Sequence, residues 1–261
     1  MYKLIKKKPR FTIITSTLNC AETLSTTAQS IRMQTYSNIQ WIIADGSSNE
    51  ETLRVIKENS DIISLWFSEI DNGIYDAWNK ACKYIEGDWV LFLGAGDIFD
   101  NANTLKIISN IIINVPIEYN FAFGALKIKN KQHWVEIKTK NEFKSIWMDL
   151  NHSTPPHSAT FCRSTLLKNS PFDAKFKIIG DKKFMLTHSN GLYFNLKQFV
   201  TIMEPNGISH DIKNCSLIWK ENKILSLEGP VPPLLHFIKA HLSNYKNILT
   251  SKIHLFIFKS K

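Results

Sequence analysis

The chain has 261 residues, of which 44% are hydrophobic and 21% charged, and its net charge is +9. This composition excludes a disordered chain and suits one large α/β domain, or one domain with a small appendage. Four cysteines (Cys20, Cys82, Cys162, Cys215) lie far apart with no CxxC pair, which argues against a zinc site or disulfide scaffold and for reduced thiols in a cytosolic protein.

The positive charge is uneven. Lys3, Lys6, Lys7, Lys8 and Arg10 crowd the start, and no acidic residue follows Glu228. Basic ends on a balanced body suggest an anionic partner, membrane lipid or nucleic acid, with simple solubility as the alternative. Phe11 to Ser16 is too short and polar for a signal peptide's apolar region. No apolar run reaches the roughly 18 residues of a membrane span, so none is expected.

In chain order, Phe11 to Thr15 is a β-branched run after a proline and reads as a buried strand. Ser16 to Asn19 is a polar turn, and Glu22 to Gln34 places Leu24, Ala28 and Ile31 on one helical face. Ile39 to Ala44 reads as a second strand ending in Asp45-Gly46-Ser47-Ser48, Thr52 to Glu58 as a short helix, and Ile62 to Phe67 as a third strand. From Ser68 to Asp97 the chain reads as a loop, a helix with a buried stripe of Ile74, Ala77, Trp78, Ala81, Cys82 and Ile85, and then the apolar strand Trp89 to Leu93. Gly94-Ala95-Gly96 leads directly to Asp97. Alternation at this pace predicts a parallel, doubly wound sheet. After Asn101 the pattern changes: Leu105, Ile108 and Ile112 mark a helix, while Tyr119–Ile128 and Trp134–Ile137 read as strands with no helix between. Residues 151–157 form a loop, Ala159 to Cys162 is strand-like, Ile178 to Asp181 bring an acid to the start of a helix, and Val200 to Met203 is a late strand.

Strand ends of a parallel sheet cluster at one edge, where open α/β sheets bind ligands. Asp45, Asp97 and the hydroxyls of Thr15 and Thr17 are therefore expected there; as isolated residues, each is equally readable as a helix cap. No GxGxxG and no GxxxxGK[ST] occurs, so neither a dinucleotide fingerprint nor a P-loop explains them.

Taken together, these residues resemble the family 2 glycosyltransferases of the GT-A fold, inverting enzymes of bacterial surface polysaccharide synthesis. The resemblance covers roughly residues 9–210. It rests on the first strand with Thr15 and Asn19, the Asp45-Gly46-Ser47 turn, Asp71 to Ala77 with Asn79, the strand ending in Gly94-Ala95-Gly96-Asp97, Pro156-His157, and Phe172-Asp173 up to Asp181. It implies a mostly parallel Rossmann-like sheet flanked by helices, with a small antiparallel portion. It also implies nucleotide contacts from Thr15, Asn19, Asp45, Asn79, Gly94, Ala95 and Gly96, with Asp45 accepting from the uracil ring. Asp97 matches the last acid of the family's metal motif and would hold Mn²⁺ or Mg²⁺, with His210 as a candidate further ligand. Asp181 matches the catalytic base, and Asp76 and His157 are candidate substrate contacts. The chain departs from the pattern at Gly94 and Gly96, where the family usually has further acids.

The expected function is inverting transfer of a sugar from a UDP-linked donor to a lipid-diphosphate-linked acceptor. The alternative is a catalytically inactive binder of sugar nucleotides or polysaccharide on the same scaffold. The expected layout is a catalytic domain over residues 1–229, with a nucleotide half at about 9–100 and an acceptor half at about 101–229. A tail over 230–261 follows, where Leu234, Ile238, Leu242, Tyr245 and Leu249 keep helical spacing with lysines around them. Such a segment suits an anionic inner-leaflet membrane surface, making the protein cytoplasmic and peripheral; packing onto the domain or a homodimer partner is the alternative. No nucleic-acid partner is expected, since no aromatic-lined strand face accompanies the basic residues.

Overall fold

The computed structural model describes residues 7–129, 134–137, 154–203 and 212–228. Seven elements alternate from the start: β1 (Phe11–Thr17), α1 (Ala21–Arg32), β2 (Ile39–Asp45), α2 (Glu50–Glu58), β3 (Leu65–Ser68), α3 (Ile74–Cys82) and β4 (Trp89–Phe92). The four strands pair in parallel in the order β3-β2-β1-β4. β1, β2 and β4 are apolar on both faces because helices cover both sides, the usual condition of a parallel sheet. Successive residues alternate between two cores. Ile13, Trp41 and Leu91 face α1, α2 and the later helix Thr104–Ile112 on one side. Ile14, Ile42, Val90 and Phe92 face α3 and the later helix Gly180–His188 on the other. The period-two alternation of a strand thus supplies both layers from one sequence run.

The chain then turns back on itself. β5 (Ile98–Phe99) and α4 (Thr104–Ile112) are followed by β6 (Phe121–Lys129) and β7 (Trp134–Ile137). A 3₁₀ turn (His157–Ala159) leads into β8 (Thr160–Arg163), α5 (Ser164–Asn169), α6 (Gly180–His188), β9 (Phe194–Met203) and α7 (Cys215–Glu228). β8 lies against β4 in antiparallel register, with Leu91 opposite Phe161. β6 runs against β8, β9 runs parallel to β6, and β5 closes that edge against β9. The path β3-β2-β1-β4-β8-β6-β9-β5, with β7 beside β6, is one nine-stranded mixed sheet, so both halves expected on either side of residue 100 share it. Among the described residues, no helix is long and apolar enough to cross a membrane.

Some boundaries differ from the sequence reading. Ile62 and Ile63 belong not to β3 but to the turn closing α2, where their N–H groups donate to the Asn59 carbonyl. β9 begins at Phe194, well before Val200; its pairing with β6 shifts register around Ala125, and Lys197 takes a left-handed φ of 53°, which breaks the apolar alternation. The basic residues Lys3 and Lys6, residues 138–153, His210 and residues 230–261 lie outside the described residues.

Phe161 joins the two halves: it is fully buried on β8 and packs its ring 5.3 Å from that of Phe11 on β1. Phe161→Ala is expected to cost about 3–5 kcal/mol of stability by urea unfolding, the usual range for emptying a buried phenylalanine site. A loss under about 1 kcal/mol would show that β8 is not part of the cooperative core.

Candidate active site

The carboxyl ends of β1, β2 and β3 meet in one row, with Thr17 paired to Asp45 and Asp45 to Ser68. Asp45 is almost fully buried. Its carboxylate accepts from Thr17 Oγ1 (2.7 Å), Ser48 N (2.9 Å), Ser48 Oγ (2.5 Å) and Ser68 Oγ (2.6 Å). Burial opposes its charge, but the bonds from Ser48, Ser68 and Thr17 outweigh that and hold its pKa below the ordinary aspartate value. Four donors fill the acceptor positions of a carboxylate, so a further N–H could reach Asp45 only if one of these hydroxyls turned away.

The first β–α loop is tied to the second. Asn19, exposed and at φ 50°, donates its N–H to Ser48 Oγ (2.9 Å), and its Oδ1 accepts from Asn49 N (2.8 Å). Thr15 sits elsewhere: it is fully buried, and its hydroxyl accepts from the Trp41 indole N–H at 3.1 Å. Two residues on along the strand, Thr17 supplies the hydroxyl that touches Asp45. Both threonines were expected at the site; the contacts of the folded strand place only Thr17 beside the carboxylate row.

Beyond β4 the backbone makes a tight turn, with Asp97 N–H donating to the Gly94 carbonyl at 3.0 Å. Thr27 on α1 stitches the turn in place: its hydroxyl accepts from Gly96 N (2.8 Å) and donates to the Asp97 carbonyl (2.9 Å). Gly96 takes φ 108°, where a side chain is strained. A Cβ at position 94 would lie 3.1 Å from Asp97 Oδ2. The Asp97 carboxylate therefore folds back over Gly94, where a side chain would press on it, and a side chain at 96 would strain the backbone. Asp97 itself is only 7% exposed.

Because β8 runs against β4, its start lies at the same edge as the ends of the parallel strands. His157, in the 3₁₀ turn before β8, thus faces Asp181 in the first turn of α6, with Nδ1 3.1 Å from Asp181 Oδ2. The Tyr75 hydroxyl lies 2.9 Å from Asp181 Oδ1 and 2.7 Å from the Ile178 carbonyl, so its single proton serves one of two acceptors. Tyr75 packs so tightly on the start of α6 that a Cβ at position 180 would lie 2.8 Å from its ring. Behind the group stands an aromatic platform: Trp78 stacks on Phe92 at 4.2 Å and approaches His157 at 5.7 Å, and Phe172 meets Tyr75 at 5.8 Å.

Charge in this cluster is mutually dependent. Burial works against the Asp181 charge, but the hydrogen bond and attraction of His157, with the Lys182 N–H and Tyr75, lower its pKa. For His157, burial disfavours the imidazolium, while Asp181 and, more weakly, Asp97 outweigh it and raise the pKa. Asp97 and Asp181 thus act on one imidazole between them. Burial pushes the Lys182 ammonium down to about 8 against the pull of Asp181, and pushes the Tyr75 phenol far above its ordinary value.

The other residues expected at the site bond within the fold. The Asn79 amide is spent on the backbone of Phe172, donating to its carbonyl and accepting from its N–H, both at 2.8 Å. Asp76 accepts from Asn72 N (2.9 Å) and pairs with Lys80 (3.4 Å), which stabilises the start of α3; the Asn72 bond, against some burial, lowers its pKa. Asp71 accepts from Gly73 N at 2.8 Å, and its other oxygen lies over Gly46 beside the Asp45 row. The sequence reading did not single out Ser48, Ser68 or Thr27, whose roles depend on contacts between elements.

Residues 12–164, more than half of the chain, match the family described as Glycosyl transferase family 2. The chain belongs to that family. Among curated proteins it is 36% identical over 107 residues to a PGL/p-HBAD biosynthesis glycosyltransferase of Mycobacterium bovis, a segment that is 40% of this chain and 42% of that protein. Over 119 residues, 45% of this chain and 46% of the relative, it is 32% identical to the Escherichia coli UDP-Glc:alpha-D-GlcNAc-diphosphoundecaprenol beta-1,3-glucosyltransferase WfgD. The family 2 chain thus aligns with less than half the length of these two relatives. In fold it is similar to S. aureus TarS 1-349 in complex with UDP-GlcNAc (TM-score 0.68, 18% identity, 90% of this chain and 73% of that one). It is also similar to the mannosyltransferase PcManGT of Pyrobaculum calidifontis in complex with GDP-Man and Mn²⁺ (TM-score 0.63, 14% identity, 97% and 76%). These likenesses establish the glycosyltransferase fold of the sheet and its flanking helices.

The His157–Asp181 pair sets a pH window for stability. The Asp181 pKa is lowered on folding, so its contribution is present above the ordinary aspartate pKa and lost as pH falls through the folded one. The His157 pKa is raised, so its contribution is present below the ordinary histidine pKa and lost as pH rises through the folded one. The stability difference between wild type and His157→Gln should therefore peak between about pH 4 and 6.5, at roughly 1 kcal/mol because the pair is partly exposed. Urea unfolding across pH checks this; a difference that is flat with pH would mean the pair is not formed.

Proposed function

We propose that the protein transfers a sugar, with inversion, from a UDP-sugar to a sugar carried on a lipid diphosphate. The observation that carries this reading is that Asp97, in the turn after β4, and Asp181, paired with His157, come from elements far apart in sequence to the carboxyl edge of the parallel strands. The UDP-GlcNAc bound to TarS and the acceptor named for WfgD support the substrate classes.

In this reading the nucleotide lies across the ends of β1 and β2, beside Asn19 and the Asp45 row, where Asp45 takes the uracil N–H in exchange for a hydroxyl. Its diphosphate passes over Gly94-Ala95-Gly96 to Asp97. Among the described residues, no group of three or more His, Cys, Asp or Glu could hold a metal by itself. One buried carboxylate still fits Mg²⁺ or Mn²⁺, hard cations that take one or two protein carboxylates and complete their shell with substrate phosphates. Asp97 would hold the ion, with His210 as a further candidate; when bound, it would neutralise the charge developing on the leaving diphosphate. Asp181 takes the proton of the attacking acceptor hydroxyl on the opposite side of the anomeric carbon. His157 and Tyr75 hold its carboxylate ionised and fixed in direction, ready to receive that proton. The basic tail would bring the protein to an anionic inner-leaflet surface where a lipid-linked acceptor resides.

Asp181→Asn is expected to fold and bind UDP while kcat falls by about 10²–10⁴, the usual contribution of a positioned base. Turnover near wild type would remove Asp181 from that role. Mn²⁺ alone should bind weakly by calorimetry and tightly once UDP is present, and Asp97→Ala should abolish that cooperation. Full activity of the wild type in EDTA would refute the metal assignment.

A further inference from the structure

Helix α6 carries Asp181 in its first turn, yet its N-cap residue, Ile179, supplies no side-chain cap. The loop that leads into the helix is held instead from α7. Glu221, 3% exposed, accepts through Oε1 from Lys177 N and through Oε2 from Ile178 N (3.1 Å) and Ile179 N (3.0 Å). Three successive N–H groups aimed at one anion form a nest, and charge-assisted bonds of this kind are among the stronger ones available to a loop. A buried carboxylate is tolerated only where donors meet its charge, and among the described residues these three amides are the donors found for Glu221. Two more contacts run in parallel along α7. Asn222 Oδ1 lies 3.2 Å from Lys182 Nζ, and Glu228 lies 3.3 Å from Lys183 Nζ.

We propose that Glu221 is a positioning residue for catalysis: by holding from α7 the three amides of residues 177–179, it fixes the backbone just before Asp181 and so aims that carboxylate. This rests on the reading of Asp181 as the base. The body of α6 is held independently by buried Phe184, Met185 and Leu186, so losing these bonds loosens the approach to the helix and leaves the fold in place. A base displaced by a fraction of an ångström loses rate rather than donor affinity. Both Glu221 and Asp181 lie beyond the family match, which ends at residue 164.

The test measures Glu221→Gln, Asp181→Asn and the double variant with a UDP-sugar that the wild type turns over, alongside melting temperature and UDP binding. Glu221→Gln should keep UDP binding and donor KM within about two-fold of wild type while kcat falls about ten-fold or more. In the Asp181→Asn background, followed over long incubations, the same change should cost nothing further, because the group it aims is gone. If Glu221→Gln does not fold, Glu221→Asp, which keeps the charge on a shorter arm, carries the same comparison with a smaller fall in kcat. A kcat within about two-fold of wild type, or a loss of equal size with and without the Asp181 carboxylate, would overturn the proposal. Normal turnover by Asp181→Asn alone would instead overturn the base assignment beneath it.

Discussion

The site depends on a reversal of direction at β8. Four parallel strands end at one edge, and a fifth parallel strand beside β4 would have put its own start at the opposite edge. Because β8 lies antiparallel to β4, the turn preceding it comes to the edge where Asp45 and Asp97 already stand. His157 occupies that turn, and α6 then brings Asp181 against it. Phe161, directly opposite Leu91, fixes the register of the reversal in the core. The most buried part of the fold thus sets the distance between the most polar parts.

Two carboxylates and an imidazole in one partly buried cluster need compensation, since desolvation alone would neutralise them. The molecule supplies it unequally. Asp45 is satisfied by hydroxyls and an amide and needs no counter-charge. Asp181 depends on an imidazole, a phenol and the N–H of Lys182. Asp97 lies within the field of that same imidazole. The aromatic surfaces of Trp78, Phe92 and Phe172 back the cluster and exclude water from that side. Asp45 is thus saturated by neutral donors, while Asp181 is held by a partner that itself titrates.

Much of the fold was legible because the first hundred residues alternate short apolar runs in β1, β2 and β4 with a helical period of 3.6 in α1 and α3. The acids at strand ends and at the start of α6 were legible for the same reason, since the end of such a run marks an edge. What escaped were residues whose meaning lies in a partner. Thr15 and Thr17 look alike in sequence, and only their contacts, with Trp41 and with Asp45, separate them. Asn79 sits in a motif that suggests a ligand, but its amide is spent on the Phe172 backbone, more than ninety positions away. β5, with two residues, and β9, with its irregular register, offer no clean period. Glu221 reads as an ordinary helical glutamate until the three loop amides that donate to it are seen. The glycines at 94 and 96, which look like missing acids, become intelligible through one positive φ and one carboxylate folded over bare backbone.

Thr27 joins the Gly94–Asp97 turn to α1, and α1 begins just after the Asn19 loop. From Ala21 to Thr27 the helix rises roughly 9 Å, at about 1.5 Å per residue. A helix over that distance behaves as a strut, so its two ends cannot settle independently. Whatever orders the loop at its beginning also sets where the turn holding Asp97 comes to rest. The two ends of a ligand lying along this edge would then meet one mechanical part rather than two, and a tilt of that helix would register at both.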